Sequence, residues 1–265
     1  RLHPRPETQP LMKRIVIVGA SSGIGLYAAR ALASGGWLVG AAARKTSSLE
    51  PLRAEFPDNI LCEPLDITSP DAPEALSRLV SRLGGMDVYF HVAGIGYDNA
   101  SFLPAPDLAT AETNVAGFTR MMDAAWRYFA DGPRPGQIAA ISSVAGTKGI
   151  GTLASYSASK AYQQHYLQAM RQRAASLRLP LTVTDIRPGW VLTPLLPGAP
   201  SDYPLAMTPD RAGRLIVKAL LSRRPVATVD WRWRLLCALW RLLPEPLWRS
   251  LPLPAFPLGN PSSRS

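Results

Sequence analysis

A chain of 265 residues, 47% of them hydrophobic, holds enough apolar material for one large domain with its own core. No apolar run reaches the roughly 18 to 20 residues that cross a bilayer as a helix, and two cysteines as distant as Cys62 and Cys237 exclude a disulfide scaffold and lack metal-ligand spacing. The formal net charge is +10, and seven of those excess charges fall in residues 209–265, so the basic character belongs to the C-terminal end.

Residues 1–11 carry three prolines and no hydrophobic period, and read as a disordered leader. Residues 12–229 alternate strand and helix signals, which predicts one α/β domain with a doubly wound parallel sheet of about seven strands and helices on both faces. Lys13 to Val18 is a β-branched apolar run and reads as a buried strand. Gly19-Ala20-Ser21-Ser22-Gly23-Ile24-Gly25 follows, then a helix to Ser34. A glycine-rich turn between strand and helix is an anion cradle: the backbone can approach a pyrophosphate closely, and the helix N-terminus aims free N–H groups at it. The second strand, Trp37 to Ala43, ends in Arg44-Lys45 with no acid. An acid at that tip would take the ribose 2′-hydroxyl of NAD(H), whereas arginine suits a 2′-phosphate, so NADP(H) is preferred over NAD(H).

The third strand, Ile60 to Leu65, delivers Asp66 and Ile67 to the carboxyl edge, where open α/β sheets bind ligands. The fourth, Met86 to Val92, ends at Ala93-Gly94 and carries His91, a lone histidine in an apolar strand that suits a core role better than catalysis. A long helix over residues 107–128 holds Asn114 among apolar neighbours, where propensity alone disfavours it. The fifth strand, Gln137 to Ile141, ends in Ser142-Ser143, followed by Val144 and Ala145. Tyr156 and Lys160 then sit four apart on one face of a helix, and a neighbouring ammonium lowers the pKa of a phenol. The sixth strand, Leu181 to Ile186, leads to Arg187-Pro188-Gly189 and a proline-rich stretch from Trp190 to Met207. Thr208-Pro209 opens another helix, and Pro225 to Val229 makes an edge strand.

In order and spacing these motifs resemble the short-chain dehydrogenase/reductase family over residues 13–229. The resemblance assigns Gly19, Ser21, Ser22, Gly23, Ile24, Gly25, Asp66, Ile67, Ala93, Gly94, Pro188, Gly189, Val191 and Thr193, with Arg44 and Lys45, to the cofactor, and Asn114, Ser143, Tyr156 and Lys160 to a catalytic tetrad. Tyr156 and Lys160 also contact the cofactor in this scheme, and Asn114 holds a water that connects Lys160 to solvent. Val18 stands where the family has threonine, and His91-Val92 where it has two asparagines. The implied activity is hydride transfer between the nicotinamide and a carbonyl or secondary alcohol, by a homo-dimer or homo-tetramer. The alternative is a cofactor-binding regulator or membrane-surface scaffold without turnover. Val144, Ala145, Trp190 and Tyr203 are expected to line an apolar substrate pocket.

Residues 230–265 form a basic extension in which Trp231 to Leu243 suits a helix stopped by Pro244. Its Trp, Leu and Arg content fits packing over the substrate crevice or a partner subunit, with an anionic membrane surface as the other reading. Nucleic acid is disfavoured, since no binding motif accompanies the charge. The reduced thiols fit a cytoplasmic protein, peripheral to the membrane if the extension meets lipid.

Overall fold

The computed structural model describes residues 13–132, 134–193, 196, 203 and 205–251. The expected leader lies outside the described residues, as do residues 252–265 and half of the proline-rich stretch. Seven strands, β1 (Arg14–Val18), β2 (Leu38–Ala43), β3 (Ile60–Pro64), β4 (Val88–His91), β5 (Gly136–Ile141), β6 (Leu181–Arg187) and β7 (Val226–Thr228), form one sheet in the order β3-β2-β1-β4-β5-β6-β7. Every pairing is parallel. The order reverses between β1 and β4, which opens a crevice at their carboxyl ends.

Alternation along β1 sends Ile15 and Ile17 to one face and Val16 and Val18 to the other, and all four are buried. The first face packs on α1 (Gly23–Ser34) and α7 (Pro209–Leu221) through Ala28, Leu32, Ile216 and Leu220. The second packs on α3 (Ala72–Arg82), α5 (Phe118–Ala130) and α6 (Ala154–Ser176) through Leu76, Leu79, Phe118, Met121 and Leu167. Gly213 lets α7 close on α1, because a Cβ there would sit 2.2 Å from the Tyr27 ring.

The expected long helix over 107–128 is three pieces. α4 (Pro104–Ala111) passes through a π-helical turn (Glu112–Gly117) into α5. The interruption falls on Asn114, whose side chain serves tertiary partners described below. Between β2 and β3 a 3₁₀ turn at Thr46–Leu49 becomes α2 (Glu50–Glu55), with Pro51 in its first turn.

The extension forms α8 (Trp231–Leu242) and α9 (Glu245–Ser250). Asp230 starts α8 at a φ of 74°, a left-handed conformation held by its carboxylate, which accepts from Arg232 N at 3.0 Å and pairs with Arg232 at 2.8 Å and Arg211 at 3.1 Å. The inner faces of the two helices pack against the loops beyond β5 and β6. Lys148 Nζ donates to Leu243 O at 2.9 Å, and Trp248 Nε1 donates to Gly149 O at 2.9 Å. The extension is therefore a wall of the domain. No helix among the described residues is long and apolar enough to cross a membrane.

Candidate active site

The crevice at the carboxyl edge has a volume of about 990 Å³ and runs from Arg44 and Lys45 at one end to Ser143, Tyr156 and Trp190 at the other. The turn after β1 forms its floor. Gly19 has a φ of +95°, and a Cβ there would lie 2.6 Å from Ala93 N. A Cβ on Gly25 would lie 2.0 Å from Gly19 O. Ser22 precedes α1 without capping it by its side chain, so the first N–H groups of that helix stay open to an anion. Thr193 sits over Gly23, its Cγ2 3.3 Å from where a Cβ would be. A pyrophosphate bound close to the backbone fits this cradle, where side chains would not.

At the ends of β2 and β3, exposed Arg44 and Lys45 face the crevice together with Asp66 and Ile67. Asp66 Oδ1 accepts from Thr68 N at 2.9 Å and from Thr68 Oγ1 at 2.8 Å, which fixes its carboxylate at the strand end. Ser21, Ile24, Ala93, Gly94, Pro188, Gly189 and Val191 complete the lining between the two ends.

Ser143, two residues beyond β5, caps a 3₁₀ turn (Val144–Thr147), where its Oγ accepts from Ala145 N at 3.1 Å. Tyr156 is half-buried in the crevice wall. Burial pushes its phenol above the ordinary value, and a hydrogen bond with Ser143 opposes that shift, so the group is protonated at neutral pH. Lys160 lies one turn on, with Nζ 5.7 Å from the Tyr156 ring centroid. It donates to Ile141 O at 3.1 Å and Gln163 Oε1 at 3.0 Å. Burial lowers it to about 8, and Asp185 opposes that shift. The sequence expectation that Lys160 depresses the phenol therefore meets a larger, opposite effect from burial.

Asn114 is buried and does not line the crevice. Its Oδ1 accepts from Ile95 N at 2.9 Å, and its Nδ2 donates to Ile95 O at 2.7 Å and Ser159 Oγ at 3.1 Å. This locks the loop after β4 to α6 through a single amide. His91, in the asparagine position, is buried beside Phe118 and Tyr89, with Tyr89 Oη 2.9 Å from its Nδ1. Burial first, and then the Lys160 charge, lower it to about 3, so it is neutral throughout the physiological range.

The four residues expected at the substrate do not share one place. Trp190 lines the crevice, whereas Val144 packs against Trp233 and Cys237 on α8, and Ala145 against Ile150, Leu153 and Trp248. Tyr203 is buried with its ring centroid 5.7 Å from that of Trp190. Tyr97, Glu112 and Thr113 line the crevice without having been singled out in the sequence. Gln163 was also missed, although Lys160, Gln163, Gln164 and Leu167 recur at the spacing of one buried helical face.

Residues 13–203 match the family model for short chain dehydrogenases. A relative in Myxococcus xanthus named "uncharacterized oxidoreductase" is 32% identical over 240 residues, covering 88% of this chain and 93% of that one. A crystal structure of a short chain dehydrogenase from Burkholderia cenocepacia in complex with NADP shares the fold, with a TM-score of 0.77 at 21% identity over 92% of this chain and 98% of that one. A 3-ketoacyl-(acyl-carrier-protein) reductase from Brucella melitensis complexed with NADH does so with a TM-score of 0.72 at 24% identity, over 83% of this chain and 98% of that one.

Proposed function

The chain belongs to the short-chain dehydrogenase family, and on that premise we propose that it is an NADP(H)-preferring oxidoreductase acting on the carbonyl or secondary alcohol of an apolar substrate. The observation that carries this reading is the convergence of Ser143, Tyr156 and Lys160 on the same crevice as the glycine cradle and the Arg44-Lys45 pair. The cofactor supplies or accepts the hydride. In the reductive direction Ser143 Oγ hydrogen-bonds the carbonyl oxygen, and Tyr156 gives its phenolic proton to that oxygen as it becomes an alkoxide. The Lys160 ammonium stabilises the tyrosinate left behind, and the phenol regains a proton from solvent.

Arg44 and Lys45 are the cations available to a 2′-phosphate, and β2 ends without a competing acid. Arg44→Ala is expected to raise the KM for NADPH about tenfold or more while moving that for NADH less than twofold. Equal effects on the two cofactors would end the phosphate assignment. A panel of carbonyls and alcohols with both cofactors tests the activity itself, and cofactor binding without turnover across that panel would favour a regulator. The preference for an apolar substrate is supported by Trp190 and by an apolar shelf (Leu103, Pro104, Ala105, Pro106 and Leu108) that joins the crevice through Tyr97 and Ala109.

A partner reading follows from the outer face of α8. Trp231, Leu235, Leu239 and Leu242 form one stripe at helical spacing, 64%, 56%, 53% and 80% exposed, with Arg234 and Arg241 exposed along its flank. We assign this stripe to an anionic membrane surface, where indole and leucine enter the headgroup layer and arginine meets lipid phosphate. The protein should float with vesicles of phosphatidylcholine and phosphatidylserine and not with phosphatidylcholine alone, and Leu239→Asp should abolish flotation. Protein that stays at the bottom with both vesicles ends the lipid reading. A native mass that falls in Leu239→Asp would assign the stripe to a second copy, within the homo-dimer or homo-tetramer common in the family.

A further inference from the structure

Gln163 lies on the buried face of α6, three residues beyond Lys160, and is fully buried. A buried carboxamide must find partners for both of its ends. Its Oε1 accepts from Lys160 Nζ at 3.0 Å, and its Nε2 donates to the backbone oxygen of Asn114 at 2.9 Å. The π-turn opens that second bond. In an α-helix Phe118 N would bond Asn114 O, but here it bonds the carbonyls of Thr113 and Val115. Asn114 O is thus open to a side chain, and one amide bridges it to the Lys160 ammonium.

We propose that Gln163 is a positioning residue that keeps the Lys160 ammonium charged and aimed, and that its carboxamide occupies the line along which a water would otherwise pass protons between Lys160 and Asn114. A water relays a proton by donating and accepting at one oxygen. A carboxamide accepts at oxygen and donates at nitrogen, and passing a proton between them would need its imidic tautomer. Gln163 therefore anchors the ammonium without conducting, and Tyr156 is reprotonated from the crevice it faces. The catalytic part of this proposal rests on the reading of the crevice as a hydride-transfer site; the electrostatic part does not.

Other groups act on the same ammonium. Tyr156 faces it from its own helix, and Ile141 O accepts from it at the end of β5. Asp185 on β6 favours the charged form and is itself paired with Arg187 at 2.6 Å and bonded by Ser142. Neutral His91 on β4 adds no charge, and burial opposes them all. Removing the Gln163 acceptor therefore disfavours the ammonium, whereas a carboxylate in its place favours it.

The test compares Gln163→Met with Gln163→Glu, which differs from the native side chain by a single group. The first readout is the titration of Lys160 by NMR of the cofactor-free protein, with lysine labelled at the ε position and Lys160→Met assigning the signal. The Lys160 pKa should fall by about half a unit or more in Gln163→Met and rise in Gln163→Glu. The second readout is the pH profile of carbonyl reduction, which needs Lys160 charged and Tyr156 protonated. Its alkaline limb should move to lower pH in the first variant and to higher pH in the second. A pKa that stays put in whichever variant folds overturns the proposal, as does a rate lowered equally at all pH values with the limb unmoved. A shifted Lys160 titration in a protein that reduces no carbonyl would retain the electrostatic role of Gln163 and remove the reaction.

Discussion

Tyr156→Phe is expected to lower turnover by about three orders of magnitude while leaving the dissociation constant for NADPH within about twofold of the native value. The substitution removes one oxygen from a ring that is otherwise held by its surroundings, so the wall of the crevice keeps its shape. What is lost is the proton. Tyr156 is the group in the crevice that combines an acidic hydroxyl with a neighbouring cation, the Lys160 ammonium 5.7 Å from its ring centroid. Ser143 can polarise a carbonyl but is far too weak an acid to replace the phenol. Burial holds the phenol above its ordinary pKa, which keeps it protonated at neutral pH and suits it to donation. In the opposite direction the same shift is a handicap, because alcohol oxidation needs the tyrosinate. Oxidation should accordingly rise with pH through the neutral and alkaline range, whereas reduction falls on the alkaline side, as Lys160 loses its charge. Binding is read by NADPH fluorescence and turnover by its loss on oxidation. Turnover near the native rate in Tyr156→Phe would remove Tyr156 as the acid, and weak cofactor binding in that variant would show that the phenol holds the cofactor instead.

The sequence was most informative where a local rule and a tertiary demand coincide. Ile15 to Val18 had to be a strand buried on both faces, and the sheet places it at the centre, paired with β2 and β4. The turn from Gly19 to Gly25 could be read because glycine spacing and strand–helix context agree. Tyr156 and Lys160 could be paired because i, i+4 spacing fixes neighbours on a helix. Asn114 stood out by itself as an anomaly, a poor helix former in a helix, and the family resemblance placed it in the tetrad without giving the reason for its setting. Its cause, a π-turn with an amide clamped to both backbone groups of Ile95, depends on the loop after β4, 19 residues away in sequence. Gln163 carried a weaker sign, since a polar residue on an apolar helical face can as well be a satisfied core amide. The extension was divided between lipid and crevice. α8 answers the crevice half with one face, because Trp233, Cys237 and Trp240 turn inward while the leucine stripe stays outside. Val144 and Ala145 were placed at the substrate from their position after Ser143, and the wall formed by α8 and α9 covers them.

The largest stability effect is expected at Trp233. Its indole is 4% exposed and lies against Gly189, where an added Cβ would meet the ring at 2.1 Å. Trp190 and Trp240 pack beside it with ring centroids at 6.5 and 6.4 Å, and its Nε1 donates to Leu205 O at 3.3 Å. Trp233→Ala should therefore cost about 3 to 5 kcal/mol of unfolding free energy, the range for truncating a buried aromatic. It should also loosen the Pro188-Gly189 turn, which is otherwise tied to the 3₁₀ turn after β5 by Val144 N donating to Pro188 O at 3.0 Å. That turn lines the crevice, so the KM for the cofactor should rise with the loss of stability. Trp231→Ala on the same helix is the control. Its side chain is 64% exposed, and its removal should change stability by no more than about 0.5 kcal/mol and leave the cofactor KM unmoved. Urea unfolding and cofactor titration of the two variants separate the alternatives. If Trp233→Ala costs less than about 1 kcal/mol and binds cofactor normally, α8 is an appendage to a domain complete at Val229. If the two tryptophans differ as expected, α8 is a structural wall of the crevice on one face, and its other face is free to meet a partner without disturbing the site.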